Sequence, residues 1–179
     1  TEEFYDFYKN KMIFLDAKPN KAHLKLAEME QAGKLSAIVT QNIDGLHQAA
    51  GSKNVFELHG SVHRNYCQKC GKFFDVNYVV NAKGVPYCDE CGGIIKPDVV
   101  LYEEGLDSQT INGAVRAISK ADMLIIGGTS LVVYPAAGMI DYFKGKYLAV
   151  LNRDATSRDK QADLCITDPI GEVLGRIRV

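Results

Sequence analysis

No run of apolar residues in this chain comes near the roughly 20 needed to cross a bilayer, so no transmembrane helix is expected. Nor is there an excess of charge of either sign. With 21 Lys and Arg against 22 Asp and Glu, the formal net charge is -1 and the pI about 6.4, and the basic residues are scattered rather than striped. A nucleic-acid backbone would meet no electrostatic footprint here, so direct DNA or RNA binding is not expected. Internal repeats and low-complexity tracts are missing as well. What remains is the composition of a soluble globular protein: 179 residues, 46% of them hydrophobic, enough to bury a sizeable core. Because the chain opens inside an amphipathic pattern, a targeting segment cannot be judged from it, and a cytoplasmic location is inferred only indirectly.

Helical and strand patterns alternate along the chain, which predicts an α/β layer architecture. Phe4, Phe7, Tyr8 and Met12 recur at helical spacing, so Glu2 to Met12 is expected to be a helix. Asn20 is a good N-cap for a helix to about Ala32, ended by Gly33. Strands are expected at Leu35 to Val39 and Val55 to Leu58, with a short helix between them from about Asp44 to Ala50. Downstream the same grammar predicts a helix from Ser108 to Lys120, a strand from Met123 to Ile126, a helix from Pro135 to Phe143 and a strand from Tyr147 to Leu151. Leu164 to Thr167 adds a last strand, and Pro169 to Arg176 a last helix. Parallel strands joined by helices place ligands at the strands' carboxyl ends. The polar motifs of this chain fall at such ends.

The cysteines are five, and four of them form two CxxC pairs, Cys67/Cys70 and Cys88/Cys91, at zinc-ribbon spacing. Gly71 and Gly92-Gly93 relieve the backbone beside each pair, and four thiolates complete a tetrahedral shell for Zn²⁺. Two disulfides of a secreted domain are the competing reading, which the large-core α/β pattern disfavours. Four sulfur ligands leave no position for water, so a metal here is structural and a zinc-hydroxide hydrolase is not expected. Cys165, the odd one, is expected to be a buried small hydrophobe.

Thr40-Gln41-Asn42-Ile43-Asp44-Gly45-Leu46-His47, then Glu57-Leu58-His59-Gly60, the cysteines, Lys96 to Tyr102 and Gly128-Thr129-Ser130 follow one another in an order that resembles the sirtuins, the NAD-dependent protein lysine deacylases. The resemblance covers nearly the whole chain. It implies a large Rossmann-like domain with helices on both faces of a parallel sheet, interrupted by a zinc ribbon. Residues 1–18 would belong to a small helical module, 19–63 and 98–179 to the two parts of the large domain, and 64–97 to the zinc module. NAD⁺ and an acetylated lysine peptide would enter a cleft from opposite sides, and the products would be nicotinamide, O-acetyl-ADP-ribose and free lysine. A protein ADP-ribosyltransferase and a non-enzymatic zinc-bearing interaction module are the alternatives. The family's opening glycine-rich turn and cofactor loop are expected upstream of Thr1, and the stretch from Thr1 on its own is expected to bind NAD⁺ poorly.

Residue by residue, the resemblance makes His59 the general base, suited by an imidazole that titrates near neutrality; a histidine at a strand end could otherwise be structural. Asn42 and Asp44 would hold nicotinamide and its ribose, with Gln41 lining the ribose pocket, though Asp44 could simply cap a helix. Gly128, Thr129 and Ser130 would bind the ribose and phosphate region, and Asn152 the adenine ribose; alone, a GGTS turn or a loop asparagine is common punctuation. Val100 and Tyr102 on one edge, Val132 and Val133 on the other, would receive the peptide by strand addition, unless Val99 to Leu101 is an ordinary core strand. Glu103 stands where the family commonly has glycine. Tyr5 and Tyr8 stand where members that prefer succinyl or malonyl lysine carry a tyrosine and an arginine, and a basic residue such as Lys9 could reach the pocket instead. His23, His47 and His63 are assigned no chemistry.

Overall fold

The structure is a computed structural model that describes residues 1–179. Contacts within the chain group it into two compact units: the first comprises 1–17, 42–45 and 59–106, the second 18–41, 46–58 and 107–179.

The first unit opens with α1 (Glu2–Phe7), which continues as a π-helical turn over Tyr8–Met12, so the expected single helix is there with a widened second half. Its apolar face is buried: Tyr8 is fully inaccessible and packs with Ile13, Val62, Phe74, Val79 and Ile95. An antiparallel sheet in the order β4-β3-β5 is formed by β3 (Gly60–Cys67), β4 (Phe73–Phe74) and β5 (Ile95–Val99). A short helix, α4 (Val76–Asn81), is capped by Asp75, whose side chain accepts from the Tyr78 N–H.

The second unit carries parallel sheets. β1 (Ile38–Thr40) lies beside β2 (Val55–Glu57), and β6 (Met123–Gly127), β7 (Tyr147–Leu151) and β8 (Leu164–Ile166) form a second sheet in that order. Strand β7 is central and accordingly apolar, with Leu148 to Leu151 all buried. The helices of this unit are α2 (Lys21–Gln31) before β1, α3 (Leu46–Ala49) and α5 (Ser108–Lys120), then α6 (Ala136–Met139), which tightens into a 3₁₀ turn over Ile140–Tyr142. The last helix, α7 (Ile170–Gly175), closes on α2, with Leu174 buried beside Ala22, Ala149 and Leu151. The expected cap of α2 is present in full: Asn20 accepts from the Ala22 and His23 N–H groups, and the His23 ring accepts in return from the Asn20 N–H.

The expected fold class, α/β with parallel strands and a small cysteine-bearing module, is the one observed. One local expectation fails, and one alternative falls away. Cys165 is exposed rather than buried: it lies on β8, the edge strand of its sheet, where Leu164 is exposed as well and Ile166 alone is half-buried. The alternative of an ordinary core strand over Val99 to Leu101 does not hold: β5 ends at Val99 and the chain turns soon after, with the Glu104 N–H donating to the Leu101 carbonyl.

Candidate functional site

The four thiols of Cys67, Cys70, Cys88 and Cys91 converge, with all sulfurs within 4.8 Å of one another. Each CxxC pair makes the same knuckle. The Gly71 N–H donates to the Cys67 carbonyl at 2.9 Å and the Gly92 N–H to the Cys88 carbonyl at 3.0 Å, and both glycines hold the left-handed φ that closes such a turn, +74° and +67°. Sγ–Sγ separations of 3.4 Å for Cys67–Cys91 and 3.7 Å for Cys70–Cys88 approach the roughly 3.8 Å edge of a tetrahedron with Zn–S bonds of about 2.3 Å. A side chain on Gly93 would strike the Cys67 sulfur at 2.8 Å, so the cradle is shaped around the sulfurs. The thiols share their protons unevenly. The Cys70 N–H leads in holding Cys67 down to about 6, against burial. Cys70 is pushed up to about 12: the Lys72 N–H pulls it down, but Cys91, burial, Cys67 and Cys88 outweigh it. Crowded thiolates of this kind are relieved by a divalent cation, and the donor set fits Zn²⁺.

His59 occupies the turn between β2 and β3, half-buried. Its carbonyl accepts the Val100 N–H at 3.1 Å, which ties it to the exit of β5. Gly60 makes that approach possible: its φ is +74°, and any Cβ there would run into the Asp98 carbonyl. The Asn42–Gly45 stretch lies along the start of β3, with the Val62 N–H donating to the Ile43 carbonyl and the His63 ring N–H to the Asp44 carbonyl, both at 3.0 Å. A Cβ on Gly45, whose φ is +69°, would sit 2.7 Å from the His63 ring. His63 is therefore a buttress of the Asp44 turn. No pattern in the sequence marks that role, because its partner is a backbone atom 19 positions away.

In the second unit the expected residues gather at carboxyl ends of parallel strands. Gly127 ends β6, Gly128 follows with φ +61°, and its N–H donates to the Leu151 carbonyl at the end of β7. Asn152 follows β7; its backbone N–H donates to the Ile166 carbonyl and its side-chain amide to the Asp154 carbonyl. Gln41, one residue past β1, accepts from the Thr129 hydroxyl at 3.3 Å, and that hydroxyl accepts from the Leu131 N–H. Two residues 88 positions apart thus meet as a pair. Leu131 itself holds φ +54°, a left-handed conformation rare for such a side chain and concentrated at functional turns. Ser130 is exposed in that turn.

Of the residues expected to receive a peptide, Val100 is half-buried with its N–H taken by His59, and Tyr102 is fully exposed. Val132 and Val133 are exposed at 71% and 49% on the segment before Pro135.

A sequence model of the Sir2 family matches residues 1–135. The chain belongs to the Sir2 family. It is 66% identical to a Clostridium acetobutylicum protein named NAD-dependent protein deacetylase, over 97% of this chain and 71% of that one. A Clostridium perfringens protein of the same name is 64% identical over 98% and 72%. Among solved structures, "Sir2-p53 peptide-NAD+" superposes with a TM-score of 0.91 at 41% identity, over 98% of this chain and 75% of that one. "Sir2 bound to acetylated peptide" gives 0.89 at 41%, over 98% and 76%. No helix of this Sir2-family chain is long and apolar enough to cross a membrane.

Proposed function

We propose that this chain is an NAD-dependent protein lysine deacetylase, an enzyme that consumes NAD⁺ as it removes an acetyl group from lysine. The relatives named above carry that activity in their names, and a related Sir2 structure is described with 2′-O-acetyl-ADP-ribose and a deacetylated peptide. One observation carries the site assignment: His59 stands at a strand exit against β5 while the Asn42–Asp44 turn is laid along the same strand, β3, that His59 introduces.

NAD⁺ would supply an electrophilic ribose carbon that the acetyl oxygen attacks as nicotinamide departs. Asn42 and Asp44 orient the carboxamide and its ribose through a carboxylate and amide held by a braced turn, the kind of positioning that lowers the entropic part of a barrier. His59 takes the proton from a ribose hydroxyl, work an imidazole can do at neutral pH. Gly128, Thr129 and Ser130 offer backbone N–H groups and hydroxyls at the end of β6, where phosphate and ribose oxygens are held in open parallel sheets, and Gln41 and Asn152 add amides at the ends of β1 and β7. Val100, Tyr102, Val132 and Val133 take the peptide main chain. Cys67, Cys70, Cys88 and Cys91 would hold one Zn²⁺ with a structural part and none in the chemistry, since four thiolate donors leave no position for water.

His59→Ala is the direct test. Deacetylation of an acetyl-lysine peptide should fall roughly 10²- to 10⁴-fold, the usual contribution of a placed acid-base group, with an unchanged unfolding transition. Turnover near that of the native protein under saturating substrates removes His59 from the mechanism.

A further inference from the structure

From the turn that follows β5, we infer that Glu103 selects acetyl-lysine peptides carrying a basic residue beside the modified lysine. The inference rests on the reading that the stretch after β5 receives the peptide. That stretch is fixed from within by Glu104, whose carboxylate accepts the Leu101 N–H and the Lys96 ammonium, each at 3.0 Å, while the Glu104 N–H returns to the Leu101 carbonyl at 3.1 Å. The loop so closed forces Glu103 to φ +71°, a conformation that disfavours any side chain with a Cβ. A glycine would hold this turn more cheaply, so the turn gives no structural reason for a glutamate.

Lys96 answers Glu104, and Arg64 answers Asp98 at 2.7 Å. Glu103 has no ion-pair or hydrogen-bond partner and is exposed, next to a fully exposed Tyr102. No backbone hydrogen bond of the chain reaches Tyr102 or Glu103, so the main-chain groups of this turn are open to hydrogen bonds with a bound peptide. A peptide pairing there brings its side chains within several ångströms of one uncompensated carboxylate. A cation at about 6 Å in water gains roughly threefold in affinity and an anion loses as much, both falling as salt screens the pair.

The test uses fluorescence anisotropy on the full native protein and labelled acetyl-lysine peptides that differ only at the two positions on either side of the modified lysine, which carry Lys, Gln or Glu. The Kd for the Glu peptide should exceed that for the Lys peptide about tenfold at low ionic strength, and the ratio should shrink in high salt. In Glu103→Gln it should fall to within about twofold with affinity for the Gln peptide unchanged. Charge-blind binding by the native protein, or a ratio that survives Glu103→Gln, overturns the inference and leaves deacetylation standing. Failure of every acetylated peptide to bind overturns both.

Discussion

The helix that opens the chain shows how single residues bear on acyl choice. Tyr5 is buried and its hydroxyl donates to the Ile95 carbonyl at 2.7 Å, while Tyr8 is wholly inaccessible, its hydroxyl without a partner. Burial raises both phenols above their ordinary value, so neither ionises near neutral pH. Lys9, a cation that could serve an anionic acyl group from this helix, is committed: its ammonium donates to the Ala82 and Gly84 carbonyls, each at 2.7 Å. A succinyl carboxylate would find no guanidinium fork on this helix and the Lys9 ammonium already engaged, and an unpaired charge taken out of water is costly. Acetyl-lysine should therefore be favoured over succinyl-lysine by at least about tenfold in kcat/KM, or roughly 1.4 kcal/mol of transition-state binding. Paired kinetics on one peptide bearing either group decide, and equal turnover refutes it. Residues such as these were legible in the sequence by type and spacing, but their commitments were not, because Ile95 and Ala82 lie far along the chain.

At the scale of elements, legibility followed the kind of signal each one carries. Helix α5 announced itself, and its N-cap Asp107 accepts from the Thr110 N–H at 2.7 Å. Strand β3 did not: Gly-Ser-Val-His-Arg-Asn-Tyr-Cys shows no alternation, and its buried members include Ser61 and Asn65. The Asn65 amide N–H groups donate to the Val62 and Phe74 carbonyls, partners that only the folded sheet provides, while its side-chain carbonyl oxygen is buried without one. Strand β5 hides behind Pro97, tolerated because β5 is an edge strand. The cap of α5 also makes a pH prediction. The Thr110 N–H, then its hydroxyl, holds the Asp107 carboxyl below its ordinary value. A depressed folded pKa adds stability above the unfolded value of about 3.9 and loses it as pH falls through the lower folded value. Asp107→Asn keeps a capping oxygen but not the charge, so its deficit against the native protein should be constant from neutral pH to about 5 and vanish progressively below about 4. Urea midpoints of the two proteins across that range check it, and a deficit independent of pH contradicts it.

For the whole molecule, the cysteine cluster joins local chemistry to the stability of the first unit. Its spacing could be read directly because each knuckle is made within a few residues, whereas the Gln41–Thr129 pair needed the fold to bring two strand ends together. Cys67 and Cys88 are buried in the same apolar cluster as Tyr8, Val62, Phe74 and Ile95, so the ligands of the proposed metal are also core residues. Stripping the metal would leave thiolates crowded within 4.8 Å of one another in that cluster, to be neutralised only by protonation or separation. Metal affinity in such sites is folding free energy. Elemental analysis of the native protein should find one Zn²⁺ per chain. A strong chelator should lower the unfolding temperature and abolish deacetylation together, with both returning when Zn²⁺ is restored. Cys88→Ser should reproduce the loss without chelator, since a buried serine supplies no thiolate. Lost activity with an unchanged unfolding transition would instead place the metal in the chemistry, and folded, active protein free of zinc would remove it from the molecule altogether.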